Sequence, residues 1–219
     1  IACAKDMMGE IFGSALPAVV TPEFAASYVL AVSLANMGGR FFWASISDAI
    51  GRKNAYYTYF GLGVPLYLSL PCWAAMTTSD PLTALCLFYA CTMVTFSTYG
   101  AGFSTMPPYV ADVFGPRHTS AIFGRVLTAW SAAGVLGPLA ITQLRARAQG
   151  RAAAELAAQV GDERFLAAFG APVADLDALL ASKAVTLQKL LEVAPAGTAD
   201  PTPYIYNEVM CVMAAVQGL

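Results

Sequence analysis

Long apolar stretches separated by short polar segments dominate the chain. They cover residues 1–20, 24–46, 55–76, 82–110 and 119–143. Each of them is close to or longer than the roughly 20 residues that an α-helix needs to cross the hydrocarbon core of a bilayer. A further apolar stretch, residues 204–219, is shorter than one span. The pattern predicts an all-α, polytopic membrane helix bundle with about five full spans and a partial sixth.

Residues 144–203 follow a different pattern. The segment is charged and rich in alanine, and leucines then recur at helical spacing with polar residues between them, at Leu176, Leu179, Leu180, Leu187, Leu190 and Leu191. This predicts one or two short amphipathic helices outside the membrane core, lying on the bilayer surface or covering the mouth of the bundle. We therefore divide the chain into membrane helices over 1–143, an extramembrane amphipathic helical loop with a Pro-rich linker over 144–203, and the start of a last membrane helix over 204–219.

The composition supports a membrane protein. Hydrophobic residues make up 58% of the 219 residues and charged residues only 12%, against about 25% charged residues in soluble domains. This predicts an integral multi-pass membrane protein, in either the plasma membrane or an organellar inner membrane. There is no basic patch with interleaved aromatic residues, so we expect no nucleic-acid partner. The five cysteines lack CxxC spacing, so we expect no metal site, no disulfide framework and no cofactor.

Arg40 is the first candidate functional residue. A charged side chain near the centre of a bilayer helix costs roughly 2.5 to 3.5 kcal/mol on insertion scales, so it normally faces a protein interior or a wet cavity. Ser33, Asn36 and Ser47 lie on the same helical face as Arg40, and such a polar stripe indicates a lined cavity. The alternative interpretation is that Arg40 pairs with a carboxylate between helices and only fixes their packing.

The apolar run that contains Arg40 ends in a charged corner. Ser47 and Asp48 end one helix, Gly51 allows the chain to turn, and Arg52 begins the next helix. Asp48 lies four residues before Arg52, a spacing that allows an ion pair across the turn. Such a pair would hold two neighbouring helices in one arrangement.

Two acidic residues interrupt the first apolar stretch. Asp6 and Glu10 are four residues apart and share a helical face. Two carboxylates close together in a low dielectric would raise each other's pKa, which makes Glu10, and with it Asp6, a candidate for proton coupling. The alternative is that these charges lie at the membrane interface or pair with Lys5.

The charged corner belongs to a longer motif. Residues 36–52 match Asn-x-Gly-Gly-Arg-x-x-Trp-x-x-x-Ser-Asp-x-x-Gly-Arg. This string resembles the signature between the eighth and ninth helices of major facilitator superfamily transporters, and it is most similar to the oxalate/formate antiporter and monocarboxylate-transporter-like group. The resemblance covers nearly the whole chain. It implies the C-terminal six-helix half of a twelve-helix fold, with residues 1–143 equivalent to family helices 7–11.

Later motifs extend the resemblance. Residues 97–108 combine small residues, hydroxyls and a double proline, which resembles the broken tenth helix of the family, and Tyr99 and Phe103 match its cavity-lining aromatic positions. Asp112 matches the Asp of the Asp-x-Phe-Gly corner that follows. On the eleventh helix, antiporters that carry the dianion oxalate have a lysine where this chain has Trp130, a departure that favours a monoanion.

The resemblance implies a function and assigns roles to residues. The substrate site would contain Arg40, Asn36, Tyr99, Phe103 and Trp130, and the gating residues would be Ser47, Asp48, Gly51, Arg52 and Asp112. The implied function is a secondary active transporter, not an enzyme, that moves a small organic anion such as a monocarboxylate by alternating access, with proton symport or anion exchange. Expected partners are the organic anion, the lipid bilayer and an N-terminal six-helix half of the same or another chain.

A function of a different class stays open. A six-helix half has no opposing half to complete a central site, so the alternative is a structural membrane subunit of a larger membrane complex without transport activity. Arg40 and the corner of Asp48 and Arg52 favour transport, because a scaffold does not need them. The length of the full open reading frame would discriminate between the two.

Overall fold

The computed structural model describes residues 2–182, 184–195 and 197–218. Over these residues the chain forms nine α-helices, two short 3₁₀ turns and no strand. The helices are α1 (Ala2–Phe12), α2 (Pro22–Ile50), α3 (Arg52–Met76), α4 (Pro81–Phe114), α5 (Thr119–Val160), α6 (Asp162–Phe169), α7 (Leu176–Ala181), α8 (Leu187–Val193) and α9 (Asn207–Gly218). The 3₁₀ turns are Val173–Asp175 and Thr202–Tyr204. The predicted all-α fold class is confirmed.

Four of these helices, α2 to α5, are long and apolar enough to cross a membrane. The protein is therefore an integral, multi-pass membrane protein, as the composition predicts. The first apolar stretch differs from its prediction at its end, because α1 finishes at Phe12 and residues 13–20 follow in turns.

Helix α5 extends well past the predicted span of 119–143. It has 42 residues, which corresponds to about 63 Å at 1.5 Å per residue. The hydrocarbon core is about 30 Å thick, so a large part of α5 has to lie outside it. The charged, alanine-rich residues after 143 continue the helix, since alanine, arginine and glutamine all favour helical structure.

Capping residues and glycines define the helix ends. Thr21 accepts a hydrogen bond from the backbone N–H of Phe24 at 3.3 Å. Asp80 accepts from the Thr83 hydroxyl at 2.6 Å and from the Thr83 N–H at 3.2 Å; these bonds lower the pKa of Asp80, so the cap is ionised at neutral pH. Gly51 turns the chain between α2 and α3 with φ 89°, a conformation that favours glycine.

Helix α4 is continuous through the residues that the sequence analysis expects to break it. Ser97 and Thr105 donate their hydroxyl hydrogen bonds to carbonyls of the preceding turn, at 2.7 Å and 2.9 Å, inside the same helix. Pro107 and Pro108 have no N–H, so the carbonyls four residues earlier have no helical donor. The double proline therefore removes two hydrogen bonds without ending the helix.

Helices α2 and α4 pack with their backbones in close contact. A Cβ atom added to Gly39 would lie closer than 3.0 Å to the carbonyl of Ser97, and one added to Gly100 would meet the carbonyl of Asn36 in the same way. Two hydrogen bonds join the helices beside these glycines: Asn36 Nδ2 donates to the Phe96 carbonyl at 3.4 Å, and Trp43 Nε1 donates to Ser97 Oγ at 3.1 Å. Small residues at such positions let membrane helices approach closely.

Buried side chains are concentrated at one end of the bundle, which we call the loop end because α1 finishes and α2 and α4 begin there. A single apolar cluster joins α1, α2 and α4 to the end of α5, to α6–α8 and to α9. Residues 144–203 contribute fully buried side chains to it, among them Phe165 and Leu190. The amphipathic segment is thus packed onto the ends of the membrane helices. We call the opposite end, which contains Gly51, the corner end.

Replacing Gly39 by alanine would place a methyl group against the Ser97 carbonyl of α4. We expect G39A to lower the free energy of unfolding by about 1–3 kcal/mol, the usual cost of overpacking, which thermal unfolding in detergent measures. The matched control is G38A, because nothing lies within 4 Å of a Cβ added to Gly38. G38A should leave stability unchanged or slightly raised; equal losses in both variants would contradict the close contact.

Candidate functional site

Arg40 lies about 15 Å along α2 from its end at Ile50, at 1.5 Å per residue, and therefore at membrane depth. Its guanidinium donates a hydrogen bond to Asn36 Oδ1 at 3.4 Å, and its Cζ atom lies 5.6 Å from the centroid of the Phe103 ring. No ion pair to Arg40 occurs in the part of the chain that the structure describes. The structure therefore gives no support to the alternative in which a carboxylate pairs with Arg40 for packing.

Three aromatic side chains form a wall beside Arg40, which we call the aromatic cluster. The ring centroids of Phe103 and Trp130 are 3.8 Å apart, those of Tyr99 and Trp130 are 5.3 Å apart, and those of Tyr99 and Phe103 are 5.6 Å apart. The face of an aromatic ring is negative, so Phe103 attracts the guanidinium without neutralising it. The structure thus brings Arg40, Asn36 and the aromatic cluster together at one place.

This site is open rather than enclosed by the described helices. Arg40 is exposed, and Tyr99 and Trp130 have 46% and 37% of their surface accessible. An exposed guanidinium at membrane depth is costly against lipid, and such groups normally face water or other protein. We therefore expect the face of α2, α4 and α5 that bears Arg40 to border a wet cavity or another protein surface.

At the corner end, Arg52 connects three helices. It forms an ion pair with Asp48 of α2, its Nε atom lies 3.7 Å from Asp112 Oδ2 of α4, and it donates a hydrogen bond to Ser47 Oγ. The Arg52 side chain is only 19% exposed, whereas the two carboxylates are mostly exposed. The ion pair expected from sequence spacing is present, and Asp112 adds a contact that the spacing does not predict.

At the loop end, Glu10 occupies a charged cluster that sequence spacing does not predict. Its Oε2 atom accepts hydrogen bonds from Arg145 Nε at 3.0 Å and from the Tyr206 hydroxyl at 2.7 Å, and a second guanidinium nitrogen of Arg145 contacts Oε1. Burial raises the pKa of Tyr206, and the hydrogen bond to Glu10 raises it further. The hydroxyl therefore stays protonated and donates a hydrogen bond to Glu10.

The expected partners of Glu10 are not the ones observed. Arg145 and Tyr206 lie 135 and 196 residues from Glu10 in sequence, so helical periodicity could not identify them. Asp6, the expected partner on the same face, is exposed and makes no hydrogen bond or ion pair among the residues described. Glu10 therefore joins α1, α5 and the residue that precedes α9 rather than sharing charge with Asp6.

Comparison with known proteins gives one partial similarity. No protein-family model matches the chain, and no solved structure matches it. A stretch of 105 residues, 48% of this chain, is 29% identical to an oxalate:formate antiporter of Oxalobacter formigenes. The match spans 23% of that antiporter's length. Together with the four long apolar helices, this similarity relates the chain to membrane transporters.

Replacing Arg145 by glutamine would leave Glu10 with Tyr206 as its remaining partner in this cluster. We expect R145Q to lower the free energy of unfolding by about 1–3 kcal/mol, because a partly buried carboxylate loses charged hydrogen bonds. Arg147 provides the matched control, since it is exposed and forms no ion pair among the described residues. In thermal unfolding in detergent, the free energy of unfolding of R147Q should lie within about 0.5 kcal/mol of that of the parent. A loss as large in R147Q as in R145Q would refute the role of the Glu10 cluster.

Proposed function

We propose that this chain forms part of a secondary active transporter of the major facilitator type that moves a small organic anion, a monocarboxylate, by alternating access. The observation that carries the proposal is Arg40, a cation at membrane depth without a carboxylate partner among the described residues. The partial similarity to an oxalate:formate antiporter supports the same class of protein.

The chemistry of the site suits a carboxylate. A guanidinium offers two parallel N–H groups that match the two oxygens of a carboxylate, and such charged hydrogen bonds are stronger in a site of low dielectric. Asn36 already holds one side of the Arg40 guanidinium at 3.4 Å, which orients the remaining donors. Among the residues that the structure describes, the aromatic cluster contacts one cation, Arg40. One positive charge balances the charge of a monoanion, whereas one negative charge of a dianion would stay unbalanced.

In the proposed carrier, the corner end would supply the gate of an alternating-access cycle. At the corner end, Ser47, Asp48, Gly51, Arg52 and Asp112 would act as the gating group, since the contacts of Arg52 hold α2, α3 and α4 together. In the proposed carrier the open face with Arg40 would meet an N-terminal six-helix half of the same or another chain. The cycle would be driven by proton symport or anion exchange, and Glu10 and Asp6 are the weaker candidates for proton coupling.

The proposed role of Arg40 is tested by anion uptake. In the full-length protein, reconstituted in vesicles, replacing Arg40 by glutamine should lower the uptake of labelled monocarboxylates at least tenfold. The reason is that each hydrogen bond to a charged group contributes roughly 1.5–3 kcal/mol, and about 1.4 kcal/mol is a factor of ten. R40K should keep part of the activity, because lysine supplies the charge without the paired N–H geometry.

The control for this experiment is R147Q, which removes an exposed arginine far along α5 from the site. R147Q should transport as the parent does, and R40Q should elute as a folded protein in size-exclusion chromatography. Unaltered uptake in R40Q would overturn the binding role of Arg40. Absence of anion uptake in the parent would favour the alternative function, a structural membrane subunit.

A further inference from the structure

A cavity of about 820 Å³ lies between α1, α3, α4, α5 and α9, and it is partly open, since Phe60, Tyr99 and Trp130 in its wall are exposed. We call it the inner cavity. Aromatic and methionine side chains supply much of its wall, including Tyr67, Phe96, Met106 and Met213. Its volume falls within the roughly 300–1,000 Å³ that pockets for drug-sized molecules occupy. The cavity is therefore far larger than a carboxylate group alone requires.

The side chains that line the inner cavity carry no charge. Its polar side-chain groups include hydroxyls, the thiol of Cys91 and one amide, and the Oε1 atom of that amide, Gln217, has no hydrogen-bond partner among the described residues. A mostly apolar wall of this kind accepts apolar ligands. A second charged group on a ligand would be costly here, because nothing in the wall would pair with it.

The inner cavity and the Arg40 site share two side chains. Tyr99 and Trp130 line the inner cavity, and both also contact Phe103, whose ring lies beneath the Arg40 guanidinium. The aromatic cluster therefore has a charged side and a neutral side. A ligand that reaches across the cluster would have its anionic end at Arg40 and its uncharged part in the inner cavity.

We propose that the anion held by Arg40 is a monocarboxylate with an apolar tail, and that the tail follows the Tyr99 and Trp130 side chains into the inner cavity. This inference rests on the proposed function, since it requires Arg40 to bind the carboxylate. The inference narrows the substrate class to monocarboxylates longer than the shortest acids. The shortest acids would leave the inner cavity empty, and a dicarboxylate would bring a second charge against a wall without charged side chains. The occupant is the substrate's own tail rather than a lipid chain, since the neutral cavity adjoins the unpaired guanidinium through the shared rings.

The experiment is a binding series on the purified full-length protein in nanodiscs. Acetate, butanoate, hexanoate and 3-phenylpropanoate are measured by isothermal titration calorimetry, with hexan-1-ol as the uncharged analogue. Affinity should rise roughly three- to fourfold for each methylene from acetate to hexanoate, the increment expected for a fully buried methylene. Hexan-1-ol should bind at least tenfold more weakly than hexanoate, because it lacks the charge that Arg40 recognises.

Two variants fill the inner cavity from different helix turns, M106W and C91F. Each should flatten the series, so that hexanoate binds no better than butanoate, while the affinity for acetate stays within twofold of the parent. The matched control is L68W, which enlarges an α3 side chain that is 49% exposed and does not line the cavity. R40Q should weaken the binding of every acid and leave that of hexan-1-ol unchanged.

The outcomes separate the two proposals. Equal affinities for acetate and hexanoate in the parent, both lost in R40Q, would overturn the apolar-tail inference and leave the proposed function standing. A chain-length series that is unchanged in R40Q, with hexan-1-ol binding as well as hexanoate, would overturn the carboxylate role of Arg40 and identify the inner cavity as a site for lipid chains. A series that keeps its slope in both M106W and C91F would place the tail elsewhere and also overturn the inference.

Discussion

The close backbone contact between α2 and α4 is the constraint on which the site depends. Gly39 faces the Ser97 carbonyl and Gly100 faces the Asn36 carbonyl, with no room for a Cβ atom at either position. Because the helices meet at these points, Asn36 reaches the backbone of α4, and Arg40, one turn later, lies over Phe103. A wider helix separation would remove the contacts that orient the guanidinium.

The charged side chains are distributed in a way that fits a membrane protein with a central site. Arg52 at the corner end and Glu10 at the loop end are each held by partners from other helices, and Arg151 of α5 pairs there with Glu208 of α9. Arg40, at membrane depth between these ends, interacts with an amide and a ring instead. The paired charges at the ends hold the helices together, whereas Arg40 has no ion-pair partner among the described residues, as the proposed binding role requires.

Much of this arrangement could be predicted from the sequence, because the helices follow from the lengths of the apolar stretches and the local contacts follow from the spacing of residues along a helix. The apolar stretches predicted the long helices, and the four-residue spacing of Asp48 and Arg52 predicted their ion pair. The length of α5 could not be predicted in this way, since the change of composition near residue 144 suggested a boundary while the residues still favour a helix. The partners of Glu10 were missed because they come from distant parts of the chain.

The most direct test of the central claim is whether the Arg40 face of α2 meets water inside the membrane. Single cysteines at Ser33 and Ala44, seven residues before and four residues after Arg40, share its face, whereas Leu34 and Phe42 lie on other faces. In the full-length protein, in vesicles and with the native cysteines replaced, a charged, membrane-impermeant thiol reagent should modify S33C and A44C and leave L34C and F42C unmodified. Protection of S33C and A44C to the same extent as L34C and F42C would show that this face does not meet water, and would contradict a wet anion site at Arg40.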